Sequence, residues 1–299
     1  MSSFFDLVPD RVMSIETYLT SINDENQREL TFKLLDISSS VLEAIANQYR
    51  SNRQLPQIRI TKDQNIPAEG MDGMIYVSSS LIEHCLSFNF PSFRNIEASS
   101  KPFVHLDSAT MAAAMFGWVI AHEFFHIVRC HNEIANGGTE MVTSRALEHD
   151  ADLCAAAALF RQFQFRYRSI LSDQDIRRLT FYSIFWPLRS LSVDQPQITH
   201  SSIATRLWQI LVKLAIVPEL DNGNERVDTS LSGERSQSSL AALRLTLVAC
   251  ERYYLATVPE ASSILVELNS LREIGTLDEV VHEWMTIRER IATKSSSRT

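Results

Sequence analysis

Cysteine is scarce in this chain, four residues in 299, and the four form no CxxC pair and no regular framework. Cys85, Cys130, Cys154 and Cys250 therefore offer no disulfide scaffold. Two of them fall within apolar or Ala-rich runs, which reads as reduced, small core residues in a cytosolic setting. Positive charge is also short. The net charge of −8 argues against a general nucleic-acid binder, because neutralising phosphates needs a surplus of Lys and Arg. The opening stretch from Met1 to Asp10 lacks both a basic segment and an apolar segment, so no signal peptide is expected. No window of about 20 residues is both uncharged and apolar enough to span a bilayer. Met111 to Ile120 runs straight into His122 and Glu123, and Leu240 to Val258 carries Arg244, Glu251 and Arg252. The expectation is a soluble, cytoplasmic protein with no membrane and no nucleic acid among its partners. Internal repeats and clear linkers are absent too, which points to a single domain over 1–299.

What the chain does contain is an ordinary globular balance, 45% hydrophobic and 21% charged residues. Leu30, Phe32, Leu34, Leu35, Ile37, Val41, Leu42 and Ile45 recur at helical spacing, with Ser38-Ser39-Ser40 as a candidate interruption. Gln57 to Thr61 alternates like a strand, and Met74 to Val77 is a second strand candidate, with Gly70 and Gly73 in the turn before it. Leu81 to Phe88 reads as a short helix and Phe103 to Leu106 as a third strand. Ala109 to His131 reads as a helix apolar on nearly all sides, hence buried and central. A loop around Asn136-Gly137-Gly138 precedes a helix over Thr139 to Phe160. From Phe160 to Leu191 aromatics mix with Arg161, Arg166, Arg168, Arg177, Arg178 and Arg189. Amphipathic helices with solvated arginines are the favoured reading there, ahead of a basic surface for an acidic partner. Ile203 to Ile216 is amphipathic, Asp221 to Ser239 reads as a polar loop, and three closing helices run from Leu240 to Ala292.

Inside the apolar helix stands His122-Glu123-Phe124-Phe125-His126, the pattern HExxH. Residues four apart on a helix lie one above the other, about 6 Å along the axis. His122 and His126 thus present two imidazoles to one point, where a tetrahedral Zn²⁺ takes both nitrogens. Glu123 lies beside them, placed to take a proton from a metal-activated water without ligating the metal. A catalytic zinc wants a third protein ligand from another element. The metzincin arrangement is excluded, since its third His falls at Asn132 and its glycine at Val128. Glu148 is the better candidate, with Asp152 one turn on, where its carboxylate reaches the free N–H of a ligand imidazole. A solvated acidic helix face is the plain alternative for this pair. Further on, His200 or Arg206 supplies a cation or donor for the oxyanion of peptide hydrolysis, the alternative being a helix-end His and a surface Arg.

His122 to His131 (HEFFHIVRCH), Glu148-x-x-Ala151-Asp152 and Thr199-His200-x5-Arg206 together resemble the gluzincin metallopeptidases. The pattern is closest to the HtpX and CAAX-prenyl-protease class and to its soluble relatives, the Lit-type phage-exclusion peptidases. Two departures stand out: Ser201 takes the place of the family proline after His200, and the membrane helices of HtpX and the prenyl proteases are missing. The resemblance implies a mainly α (α+β), zincin-like fold with a small N-terminal β-sheet and an HExxH active-site helix. It further implies zinc on His122, His126 and Glu148, Glu123 as general base, Asp152 behind a ligand, and His200 and Arg206 at the transition state. The expected layout is an N-terminal helical and β part (1–108), a catalytic core (109–216), a polar loop (217–239) and C-terminal helices (240–293). The activity implied is a zinc endopeptidase cutting a protein or peptide substrate, with a regulatory protein partner possible. The rival reading is a zinc-binding effector or interaction protein whose proteolysis is latent or absent and under a partner's control.

Overall fold

The computed structural model describes residues 12–48, 55–62, 67–91, 107–135, 141–191, 201–218, 233–274 and 277–296. The expected strand at Phe103 to Leu106, the loop at Asn136 to Gly138 and His200 lie outside them. The fold is mainly helical with one small mixed sheet, as the resemblance implied. By their internal packing the residues divide into two compact units, 1–90 with 106–134 and 290–299, and 91–105 with 135–289.

The first unit opens with β1 (Val12–Met13), α1 (Ile15–Ser21) and α2 (Glu25–Gln48). Asp24 starts α2 by accepting the Gln27 N–H at 2.7 Å. The serine triplet does not interrupt α2. Ser38 and Ser39 donate their hydroxyls to the carbonyls of Leu34 and Leu35, four residues back, so the helix absorbs them. Next come β2 (Gln57–Thr61), β3 (Ala68–Met71), β4 (Met74–Ser78) and α3 (Ser79–Ser87). The strand order is β1-β2-β4-β3, with β2 and β4 parallel and both outer pairs antiparallel. Asp72 and Gly73 join β3 to β4 with φ of 51° and 76°. Two successive positive values make the tight turn whose twist matches a hairpin. Gly70, expected in that turn, is instead inside the edge strand β3.

Over the sheet lies α4 (Ser108–Val128), capped by Asp107, which accepts the Thr110 N–H at 2.7 Å. By length and composition alone α4 would pass for a membrane span, which the sequence reading had denied to every segment. Its faces, however, pack on α2, α3 and β3, and 78% of its apolar window is buried. Arg129 ends the helix, Cys130 takes φ 56°, and α5 (His131–Ala135) follows at once.

The second unit is helical: α6 (Met141–Tyr167), α7 (Asp173–Leu191), α8 (Ile203–Ile216), α9 (Glu234–Thr257), α10 (Ile264–Ile274) and most of α11 (Leu277–Ser296). The polar loop expected up to Ser239 ends earlier, because Ser236 and Ser239 are buried residues of α9. The arginines of α7 depart further from expectation. Arg177 and Arg189 are wholly buried, and Arg178 nearly so. Arg177 donates to Asp173 at 2.6 Å and to the carbonyls of Leu214 and Val217, closing the end of α8, and lies 4.6 Å over the Phe160 ring. Arg189 pairs with the equally buried Glu251 of α9, which also accepts the Ile264 N–H. A charge leaves water only when its partners are waiting, and apart from Asp173, four residues before Arg177, these partners are far away in sequence.

Candidate metal centre

The HExxH segment occupies the last turns of α4. His122 and His126 bring their Nε2 atoms to 3.0 Å of one another with rings inclined at 64°. Two nitrogens bound to one tetrahedral zinc at about 2.0–2.1 Å stand about 3.3 Å apart, so the pair is set close to the spacing such an ion requires. Both residues are buried. Glu148, on α6, completes the group: one ligand atom from each of His122, His126 and Glu148 lies within 4.8 Å of the others. Two imidazoles and a carboxylate are the donor set of a catalytic zinc site. The residues present fit the metal.

The turn at Cys130 sends His131 back beneath the helix. Its Nδ1 lies 3.1 Å from His126 Nδ1, and the two rings meet edge to face at 4.9 Å. By spacing His131 is not the third ligand of a metzincin, and it meets a ligand candidate from behind. Glu123 is half-buried, and its Oε2 accepts the backbone N–H of Gly70 at 2.7 Å. The Gly70 carbonyl in turn accepts the Asn132 side-chain amide at 3.1 Å.

Asp152, one turn beyond Glu148, is bound by Arg206 of α8 through two bonds of 2.8 Å, Nε to Oδ2 and Nη2 to Oδ1. The side chains that the sequence assigned to different tasks thus meet as a buried, two-pronged ion pair. On the same helix, Asp150 accepts the Trp284 indole N–H at 2.8 Å and Thr143 donates to Glu283 at 2.8 Å, both partners coming from α11. His149 packs edge-on to Trp284 and shares a hydrogen bond of 2.9 Å with Gln209 Oε1. Burial pushes the His149 pKa down, and Lys213 adds to this. The Gln209 bond and the carboxylates of Asp152 and Asp150 pull the other way. From sequence Gly70 is only a turn residue and Asn132 only the position of the missing metzincin His, and nothing there points to Gln209 or Trp284. Only the Asp72-Gly73 hairpin signal hinted that a strand ran through Gly70.

A buried helix carrying HExxH, a small sheet beside it and a carboxylate supplied by another helix define a zincin-like metallopeptidase. Residues 29–225, well over half of the chain, match the family model Peptidase U49. The chain belongs to that family, that of the Lit-type phage-exclusion peptidases, and membership implies a peptidase. Comparison with curated proteins and comparison with solved structures each returned no match.

Proposed function

We propose that the protein is a soluble, cytoplasmic zinc endopeptidase that hydrolyses a protein substrate. The observation that carries the reading is the 3.0 Å approach of the His122 and His126 Nε2 atoms, with a Glu148 ligand atom within 4.8 Å of both residues' ligand atoms. His122, His126 and Glu148 would hold the metal. When bound, zinc supplies Lewis acidity, which polarises the scissile carbonyl and acidifies a water to a pKa of about 7. Glu123 accepts the water's proton and delivers it to the leaving amine. Its carboxylate does this from a fixed orientation, because one oxygen is held by Gly70 N–H. Arg206 holds Asp152 in place beside the ligand-bearing turn of α6 through two bonds. His200 takes the oxyanion role that the family resemblance implies.

The test is direct. Purified protein should carry zinc, measured by elemental analysis, and should cut at defined sites in a host-cell lysate followed by terminal-peptide proteomics. Glu123→Gln keeps zinc and loses cleavage by about a hundredfold or more. His122→Ala and Glu148→Ala lose zinc and cleavage together. Full activity in Glu123→Gln would refute the mechanism.

A further inference from the structure

Asn132 reaches past the end of α4 to the edge strand, and nothing in the HExxH chemistry assigns it a task. Three observations converge on it. A Cβ placed on Gly70 would stand 2.3 Å from the Glu123 carbonyl oxygen and 3.0 Å from its carbonyl carbon. Strand and helix backbones therefore touch at that position, and only glycine permits it. The Gly70 N–H donates to Glu123 Oε2 at 2.7 Å. The Gly70 carbonyl accepts from Asn132 Nδ2 at 3.1 Å. The same peptide segment is thus gripped from both ends of the motif, once by the acid itself and once by a residue ten places after His122.

We propose that Asn132 is a positioning residue for peptide hydrolysis: it clamps Gly70 of β3 onto α4 so that the Gly70 N–H fixes the Glu123 carboxylate. The inference rests on the metallopeptidase reading. A glutamate carboxylate rotates readily about its last bond, and a hydrogen bond from rigid backbone selects one orientation. That bond is only as firm as the strand that offers it. Gly70 is in an edge strand, with β4 on one side and, among the described residues, no further strand against its outward face. Asn132 supplies the missing hold. A purely structural edge cap is the competing explanation. It does not account for the acid of the motif being the second partner. Asn132 is moreover solvent-exposed, so replacing it removes no core packing.

Glu69-Gly70 is the sole Glu-Gly step in the chain, so full-length protein labelled with ¹³C-glutamate and ¹⁵N-glycine gives one selected amide resonance, that of Gly70. In metal-free protein the Gly70 amide should be protected, and its exchange should rise about tenfold or more in both Asn132→Asp and Glu123→Ala. Asn132→Asp should keep the thermal midpoint and zinc affinity of the parent while kcat falls about a hundredfold and KM stays within about twofold. Asn132→Gln, which retains an amide donor, should recover part of kcat. The proposal is overturned by an unchanged Gly70 resonance in Asn132→Asp, by an unchanged kcat, or by a kcat loss that tracks lost zinc or lost stability. An inert wild-type protein would sink the peptidase reading and the catalytic part of this inference with it. The exchange contrast needs no turnover and would still decide the clamp.

Discussion

Cys130 takes a backbone conformation that costs a residue with a Cβ about 1–2 kcal/mol, and it takes it between a candidate zinc ligand and His131. A metal on His126 Nε2 would leave the ring proton on Nδ1, which would then be donated to His131 Nδ1, 3.1 Å away. That arrangement would hold the ring in place for the metal. His131→Ala should therefore weaken zinc binding about 10- to 100-fold, measured by competition with a chromophoric chelator. The metal-free protein should still fold. At Cys130, glycine should preserve zinc affinity, whereas Cys130→Val, branched at Cβ, should cost about 1–2 kcal/mol in urea denaturation. His122, His126 and Glu148 were legible in the sequence because helical periodicity alone stacks residues four apart, and because a third ligand had to come from a nearby element. The role of His131 was not legible, since it depends on a single torsion angle that no spacing rule encodes.

Among elements, the same contrast recurs. Helices α2 and α8 are readable from the period of their apolar residues, α4 from being apolar on nearly all sides, and β2 from its alternation. The edge strand β3 is not, because Ala68-Glu69-Gly70-Met71 has little intrinsic preference for a strand. It is a strand because β4 and the Asp72-Gly73 turn impose the pairing. The arginines of α7 mislead for a related reason: Asp173 aside, their acceptors at the end of α8 and on α9 are visible only once the helices are packed. Truncating one member of the buried Arg189–Glu251 pair should thus be expensive. Arg189→Ala is expected to lose about 3–5 kcal/mol by chemical denaturation, since Glu251 would be left charged and buried. Replacing both residues together, Arg189→Met with Glu251→Leu, should recover most of that loss.

For the whole molecule, pH is the revealing variable. Burial lowers the pKa of His84 and of His149 below the ordinary value of about 6.5, so the unfolded chain binds those protons more readily than the folded one. Both histidines favour the fold fully above that value and progressively less as the pH falls through and below it. Metal-free protein should accordingly lose stability between pH 7 and pH 5, and His149→Gln should flatten part of the decline in urea titrations. His149 is also where the far end of the chain meets α6. Trp284 covers its ring and bonds Asp150, while Glu283 takes the Thr143 hydroxyl, on either side of Glu148. The family match stops at residue 225, well before α11 begins. A minimal fragment trimmed to the matched stretch would keep every proposed zinc ligand yet strip the indole from His149 and Asp150, so shortening the protein by homology would expose the turn of α6 that carries Glu148.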